Sequence, residues 1–238
     1  GGTIFSLLVF DKSGVTNPAF ADPNVRVALG LSIDRQALVD GVHPGNIPAV
    51  NALPKDSPGW SADIDSEYAY NPEKAKELLA TAGYPDGFEF DVVNLGDSTD
   101  LEALQKYFAE VGVTMNIKVA SSTEELFAAV NTSPVGPIAL GWGNPVGVMF
   151  GVVLGFANPH NDADPSIAGL TGAVAGAQTD EDRAAALQGL NAALVTTGSY
   201  IPVYEQLTTW AGNSAKVGTV VFPGGDTTPL LSSIKPVK

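Results

Sequence analysis

The sequence contains no cysteine in its 238 residues. This absence excludes a disulfide framework, a thiolate nucleophile and a cysteine-based metal site. Basic residues are also scarce, because 12 lysines and arginines stand against 26 aspartates and glutamates, which gives a formal net charge of −14. A field of this sign repels phosphate backbones, so we expect no binding to nucleic acid.

A long hydrophobic run is the next feature that the sequence lacks. The longest mostly apolar stretch, residues 146–157, is interrupted by glycines and is shorter than the roughly 20 residues that a membrane helix needs. We therefore expect no membrane-spanning helix. The first residues also lack the basic and apolar regions of an export signal, so we expect any such signal to belong to a longer parent protein.

The motifs of common enzymes are missing as well. The two histidines, His43 and His160, lie in separate loop regions and lack the i, i+4 spacing of a metalloprotease helix. No Gly-x-Ser-x-Gly elbow, Walker phosphate loop or Gly-x-Gly-x-x-Gly turn occurs. We predict a protein that is not an enzyme and that binds neither a metal nor a cofactor. A hydrolase that uses acidic residues stays an alternative, since Glu205 and the acids at 162–164 could meet in space.

Local patterns alternate between strands and helices along most of the chain. Capping residues such as Asp34, Asn71 and Thr179 precede helical apolar stripes. The proline-rich residues 42–60 predict a long ordered loop, and the glycine-rich residues 143–177 predict mostly loop. Together the patterns predict an α/β fold with some parallel pairing. The predicted strands span about residues 4–10, 88–92, 113–119, 138–142 and 201–204, and the predicted helices span about residues 23–30, 34–41, 71–83, 101–111, 123–130 and 180–197.

Trp142 is the strongest candidate for contact with a ligand. It follows an apolar strand and precedes Gly143 and Asn144, where a sheet ends and a loop begins. In open α/β sheets ligands bind at that edge, and an indole offers a large amphipathic surface. The alternative is a tryptophan packed in the core. Three further aromatic residues are weaker candidates, for which a packing role is favoured: Trp60, Tyr204 and Trp210.

Several blocks of sequence, in order, resemble one known family. Residues 17–29 and 32–38 follow the pattern D-x-x-V-R-x-A-L, then I-D-R-x-x-L, and residues 70–79 and 82–88 extend the match. Looser blocks follow at Trp142, 158–159, 180–187 and 201–204. The chain resembles family 5 of the extracellular solute-binding proteins, the oligopeptide- and dipeptide-binding type. Within these blocks we expect Arg26 and Asp34 to pair across a helix junction as scaffold.

The resemblance implies a fold and a partial chain. We expect a type II periplasmic-binding-protein lobe with a mixed sheet flanked by helices. The resemblance implies that residues 1–238 form the C-terminal α/β ligand-binding lobe of a protein about twice as long, in which two lobes close on a solute by a hinge. Residues 215–238 would be a tail that returns toward the first lobe.

The resemblance also implies a function. We expect the substrate-binding component of an ABC importer, a monomer that captures a peptide or another small solute and delivers it to permease subunits. Its place would be the periplasm or the cell surface, with a lipid anchor as one option for the full-length protein. A protein-interaction surface domain is the remaining alternative.

One departure from the family concerns the solute. Peptide binders of this family carry an aspartate just after the matched tryptophan, which holds the amino terminus of the ligand. Here Trp142-Gly143-Asn144-Pro145 contains no acid. We predict Trp142, Gly143 and Asn144 as substrate-binding residues. Trp142 would give a stacking face, Gly143 would allow close approach to the backbone, and Asn144 would offer a neutral donor and acceptor. A charged amine would lose its usual counter-ion at this position, so the departure favours an uncharged or different solute over a free-amine peptide.

Overall fold

Strands from distant parts of the chain form one six-stranded sheet. The computed structural model describes residues 2–162, 164–207, 213, 215–219 and 235–236. The sheet order is β2-β6-β1-β5-β3-β4, with β1 antiparallel to β5 and β6 and with β3 parallel to β4 and β5. The predicted mixed sheet is confirmed. The strands are β1 (Thr3–Val9), β2 (Ile47–Pro48), β3 (Glu89–Asn94), β4 (Thr114–Val119), β5 (Val135–Gly141) and β6 (Tyr200–Gln206), and a separate pair comprises β7 (Val217–Thr219) and β8 (Lys235–Pro236).

Helices cover both faces of this sheet. Asp34, Asn71 and Thr179 cap their helices as predicted, each accepting a backbone N–H within the first turn at 2.9 to 3.0 Å. Among the described residues no helix is both long enough and apolar enough to cross a membrane. The helices are α1 (Pro23–Leu31), α2 (Arg35–Val42), α3 (Ala62–Glu67), α4 (Pro72–Thr81), α5 (Thr99–Glu110), α6 (Thr123–Ala128), α7 (Pro145–Val148), a π-helical segment (Met149–Phe156), α8 (Pro165–Gly176) and α9 (Asp180–Thr196), with short 3-10 turns at Pro18–Ala21 and Ala129–Asn131.

The two sides of the sheet carry separate hydrophobic cores. One core lies under α1, α2, α4 and α5 and includes Leu29 and Phe108, both fully buried. The other lies under α8 and α9 and includes Ile4, Leu190 and Trp142. β1 serves both cores, because its alternate residues point to opposite faces. This central strand is therefore the element around which the lobe is built.

The prediction for residues 143–177 is wrong, because most of that region is helical. In α8, Ile167, Thr171 and Val174 form a buried stripe at helical spacing that packs against α9. The glycines that suggested a loop lie on the other side of the helix, where a side chain would meet open space. Asp164 caps the helix by accepting the Ser166 N–H at 2.8 Å. Tertiary packing therefore outweighs the low helix propensity of glycine here.

The predicted Arg26–Asp34 pair is also wrong. Arg26 donates from Nη1 to the Phe20 carbonyl at 2.5 Å and from Nε to the Thr197 carbonyl at 2.9 Å. Asp34 instead caps α2. Arg35 donates from Nε to the Pro202 carbonyl at 2.9 Å. The two buried arginines thus join α1 and α2 to the end of α9 and to β6 through backbone carbonyls, and the scaffold role expected for Arg26 is fulfilled by these contacts.

Candidate functional site

Three strands end together at one edge of the sheet. Thr3, at the start of β1, lies opposite both Gly141, the last residue of β5, and Gln206, the last residue of β6. On the far side of β6, Ile47 of β2 pairs with Glu205. We call this boundary, defined by Thr3, Gly141 and Gln206, the upper edge. It brings together segments that lie far apart in the sequence.

The structure places Trp142, Gly143 and Asn144 at the upper edge. Trp142 is only 5% exposed, and its ring packs edge-to-face on Tyr200 with centroids 5.8 Å apart. Its indole Nε1 is buried and has no hydrogen-bond partner among the described residues. Gly143 and Asn144 are exposed. The indole is therefore anchored in the core under α8 and α9, while the two following residues are exposed.

One atom of the Asn144 side chain caps a helix. Its Oδ1 caps α7 by accepting the Gly147 N–H at 3.1 Å. A side chain at Gly147 would approach the Asn144 amide nitrogen to 2.6 Å, so glycine there allows the cap. Because the oxygen is engaged, the amide N–H group is the part of this side chain left to donate outward. The binding roles of Trp142, Gly143 and Asn144 stay predictions.

A small pocket opens beside the upper edge, between β6, β2 and the loop that follows β2. Its volume is about 40 Å³, and its lining includes Ile4, Asn51, Lys55, Trp60 and Glu205. We call it the edge pocket. The Lys55 ammonium lies 5.5 Å from the centroid of the Trp60 ring, a cation–π arrangement. The pocket thus combines an aromatic wall with charged groups.

Glu205 is the one carboxylate of β6 and lines the edge pocket. It is 7% exposed, and its Oε2 accepts the Lys55 backbone N–H at 3.3 Å. The suggested meeting of Glu205 with the acids at 162–164 does not occur. Asp162 accepts the backbone N–H groups of Lys12 and Ser13, beyond the other end of β1. The two ends of this strand are about 20 Å apart.

Two of the remaining candidates, Tyr204 and His43, have structural partners. Tyr204 is buried, stacks on Phe5 at 5.0 Å, and donates its hydroxyl to Asp100 at 3.2 Å. Burial and the adjacent carboxylate raise the pKa of Tyr204. His43 lies with Nε2 at 2.6 Å from the other oxygen of Asp100. Trp210 lies outside the described residues. Among the described residues no group of three or more histidines, aspartates or glutamates could hold a metal ion.

Comparison with known proteins places this geometry in a family. The model of bacterial extracellular solute-binding proteins, family 5 middle, matches residues 2–164. The heme-binding protein A of Haemophilus influenzae is 36% identical over 106 residues, which are 41% of this chain and 19% of that protein. The glutathione-binding protein GsiB of Salmonella typhimurium is 36% identical over 108 residues, which are 43% of this chain and 21% of that protein.

A solved structure shows the same fold over nearly the whole chain. The dipeptide binding protein from Pseudoalteromonas sp. SM9913, in complex with Met-Leu, matches 99% of this chain and 48% of that one, with a TM-score of 0.73 at 17% identity. The chain therefore spans about half the length of that structure, and its matched stretches span about a fifth of each curated relative. Since the family model covers well over half of the residues, the chain belongs to the bacterial extracellular solute-binding proteins of family 5.

Proposed function

We propose that this chain is the C-terminal lobe of a two-lobe solute receptor that serves an ABC importer. The observation that carries the proposal is the family match over residues 2–164. The upper edge fits that role, because three strand ends and the exposed Gly143 and Asn144 lie where a second lobe could enclose a solute. The protein holds its solute and does not transform it.

The proposal extends to place and partners. A family 5 receptor acts outside the cytoplasm, in the periplasm or at the cell surface, and passes its solute to permease subunits. We propose a monomer; most of residues 215–238, the tail expected to return toward the first lobe, lies outside the described residues. The net charge of −14 supports solubility in that setting.

The solute is a peptide or another small molecule. Relatives of this chain bear the names of heme-binding, glutathione-binding and dipeptide-binding proteins, so the fold accommodates varied solutes. In this chain Trp142 would bound the solute with its indole edge, Gly143 would let the solute approach the backbone, and Asn144 would donate from its free amide N–H. None of these groups supplies a carboxylate for an ammonium group.

Mass spectrometry of small molecules that co-purify with the longer parent protein tests the function directly. We expect one solute molecule per protein, released on denaturation with its covalent structure unchanged. Replacing Asn144 with alanine should weaken rebinding, whereas Asn116→Ala, on the distant strand β4, should not. Product formed from peptides or glycosides would instead indicate a hydrolase, and a stable protein complex without solute would indicate an interaction domain.

The lobe alone should bind the same solute weakly or undetectably, because it provides only half of the enclosing surface. Isothermal titration calorimetry with the identified solute compares the lobe with the parent protein. Micromolar affinity of the lobe alone would contradict the two-lobe proposal.

A further inference from the structure

Glu205 faces the same side of the sheet as the candidate solute-binding residues. It lies opposite Ile4 of β1, and Ile4 lies opposite Leu140 of β5. Directly opposed residues on neighbouring strands point to the same face, so these three side chains form a row. Trp142 follows Leu140 by two residues and packs in the same core as Ile4. Two strand spacings, about 10 Å, separate Glu205 from Leu140.

Among the residues that the structure describes, few groups compensate the charge of Glu205. Its described hydrogen bond is the 3.3 Å contact from the Lys55 backbone N–H, and no lysine or arginine among the described residues forms an ion pair with it. The Lys55 ammonium lies over Trp60 instead. Asp65, the other acid of the pocket, accepts from the Asn51 amide at 2.8 Å. A carboxylate that is 93% buried with one long hydrogen bond is costly unless a cation joins it.

The backbone leaves space for this carboxylate in particular. A side chain at Gly2 would overlap the Glu205 carboxyl group, so glycine immediately before β1 allows the carboxylate to lie at the upper edge. Glycine in or beside a strand commonly marks such a close approach. The edge pocket, at about 40 Å³, has room for an ammonium group but not for a whole solute.

We propose that Glu205 binds a cationic nitrogen of the solute, a primary ammonium or a guanidinium, in the edge pocket. It would supply from β6 the negative charge that the position after Trp142 lacks. Trp60 would add an aromatic face beside the cation. This inference rests on the proposed solute-binding function and narrows it to solutes that carry an amine or a guanidine.

The test uses n-butylammonium as the probe and n-butanol as its uncharged match. Both are titrated into the ¹⁵N-labelled chain at pH 7, and the NMR shifts of the Lys55 backbone N–H and the Trp60 indole N–H are followed. We expect saturable shifts with butylammonium and at least about tenfold weaker binding of butanol, because a charge-assisted contact is lost. Equal responses to the two probes would overturn the proposal without any variant.

Variants assign the effect to the residue. Glu205→Gln keeps the shape, removes the charge and should weaken butylammonium binding about tenfold or more. Gly2→Ala should do the same by displacing the carboxylate, while Glu89→Gln, an exposed acid on β3, should change nothing. Unchanged binding in the folded Glu205→Gln protein would refute the assignment. Solute retained by the parent protein with Glu205→Gln would leave the receptor function standing and reject only this inference.

Discussion

Replacing Asn191 with alanine should release the loop that forms the edge pocket. Asn191 lies in α9 and is fully buried. Its Oδ1 accepts the Ala52 N–H at 2.8 Å, and its Nδ2 donates to Asn51 Oδ1 at 2.5 Å and to the Gly59 carbonyl at 2.9 Å. One side chain on a helix therefore holds three points of a loop that carries little regular structure of its own.

The expected loss follows from these three hydrogen bonds. Each contributes about 1 kcal/mol net, and removing Asn191 leaves the Ala52 N–H and the Gly59 carbonyl to find other partners, while Asn51 Oδ1 still accepts the Ser61 N–H, so we expect the free energy of unfolding to fall by about 3 kcal/mol. That is a large part of the roughly 5 to 15 kcal/mol typical of a domain. The loss should be accompanied by faster hydrogen exchange at the loop amides.

Urea unfolding followed by circular dichroism measures the total, and hydrogen exchange at Lys55 measures the local effect. Gln188→Ala is the matched control, since Gln188 lies one turn earlier on α9, is exposed, and donates at 3.3 Å to the Pro58 carbonyl of the same loop. Its loss should stay below about 0.5 kcal/mol. The reasoning fails if Asn191→Ala destabilises the protein no more than Gln188→Ala does.

Three further changes test other parts of the fold. Gly87→Ala should lower the free energy of unfolding by about 3 kcal/mol, because φ is +79° and a side chain would overlap a facing backbone carbonyl. Gly83→Ala, at φ +92° in open space, should lower it by only about 1 kcal/mol, and urea unfolding measures both. Arg35→Met leaves two carbonyls unpaired and should cost about 2 kcal/mol in the same assay, against almost nothing for the exposed Arg183→Met. Burial opposes ionisation of Asp11, but hydrogen bonds lower its pKa to about 2. About 2 kcal/mol of stability that is present above pH 4 should therefore be lost as the pH falls toward 2. Asp11→Asn should flatten that part of the profile of stability against pH.

Local physics explains which parts of the fold were predictable. The caps at Asp34, Asn71 and Thr179 were identified from sequence because a side-chain oxygen and a free backbone N–H two or three residues later suffice to start a helix. The strands β3 and β4 around α5 were identified because their apolar residues alternate. In both cases all the interacting groups lie within a few residues of each other.

The parts that were missed depend on partners far along the chain. The helix α8 has glycines on its outer side and is held by α9, so its sequence alone resembles a loop. Arg26 donates to the Thr197 carbonyl, 171 residues away, and no local pattern distinguishes that bond from a pair with Asp34. The short strand β2 exists only because β6 lies beside it.

The candidate site divides in the same way. Trp142 could be placed at a strand end from its own neighbours, because an apolar strand, a tryptophan and a glycine follow one another. Glu205 could not be placed in the edge pocket, because its surroundings combine β1, β2 and the loop containing Lys55, 150 residues earlier. Only the register of three strands brings that carboxylate to the edge that Trp142 marks.

The same register bears on the two-lobe receptor proposed above. β1 begins and β6 ends at the upper edge, and the two strands are direct neighbours. Thr3 and Gln206 therefore lie side by side at this edge, about one strand spacing, or 5 Å, apart. In the proposed two-lobe receptor, a second lobe that closes over this edge would cover Asn144 and Glu205 together. A solute held by both residues would then resist opening, since its cationic nitrogen would have to leave a buried carboxylate before the lobes could separate.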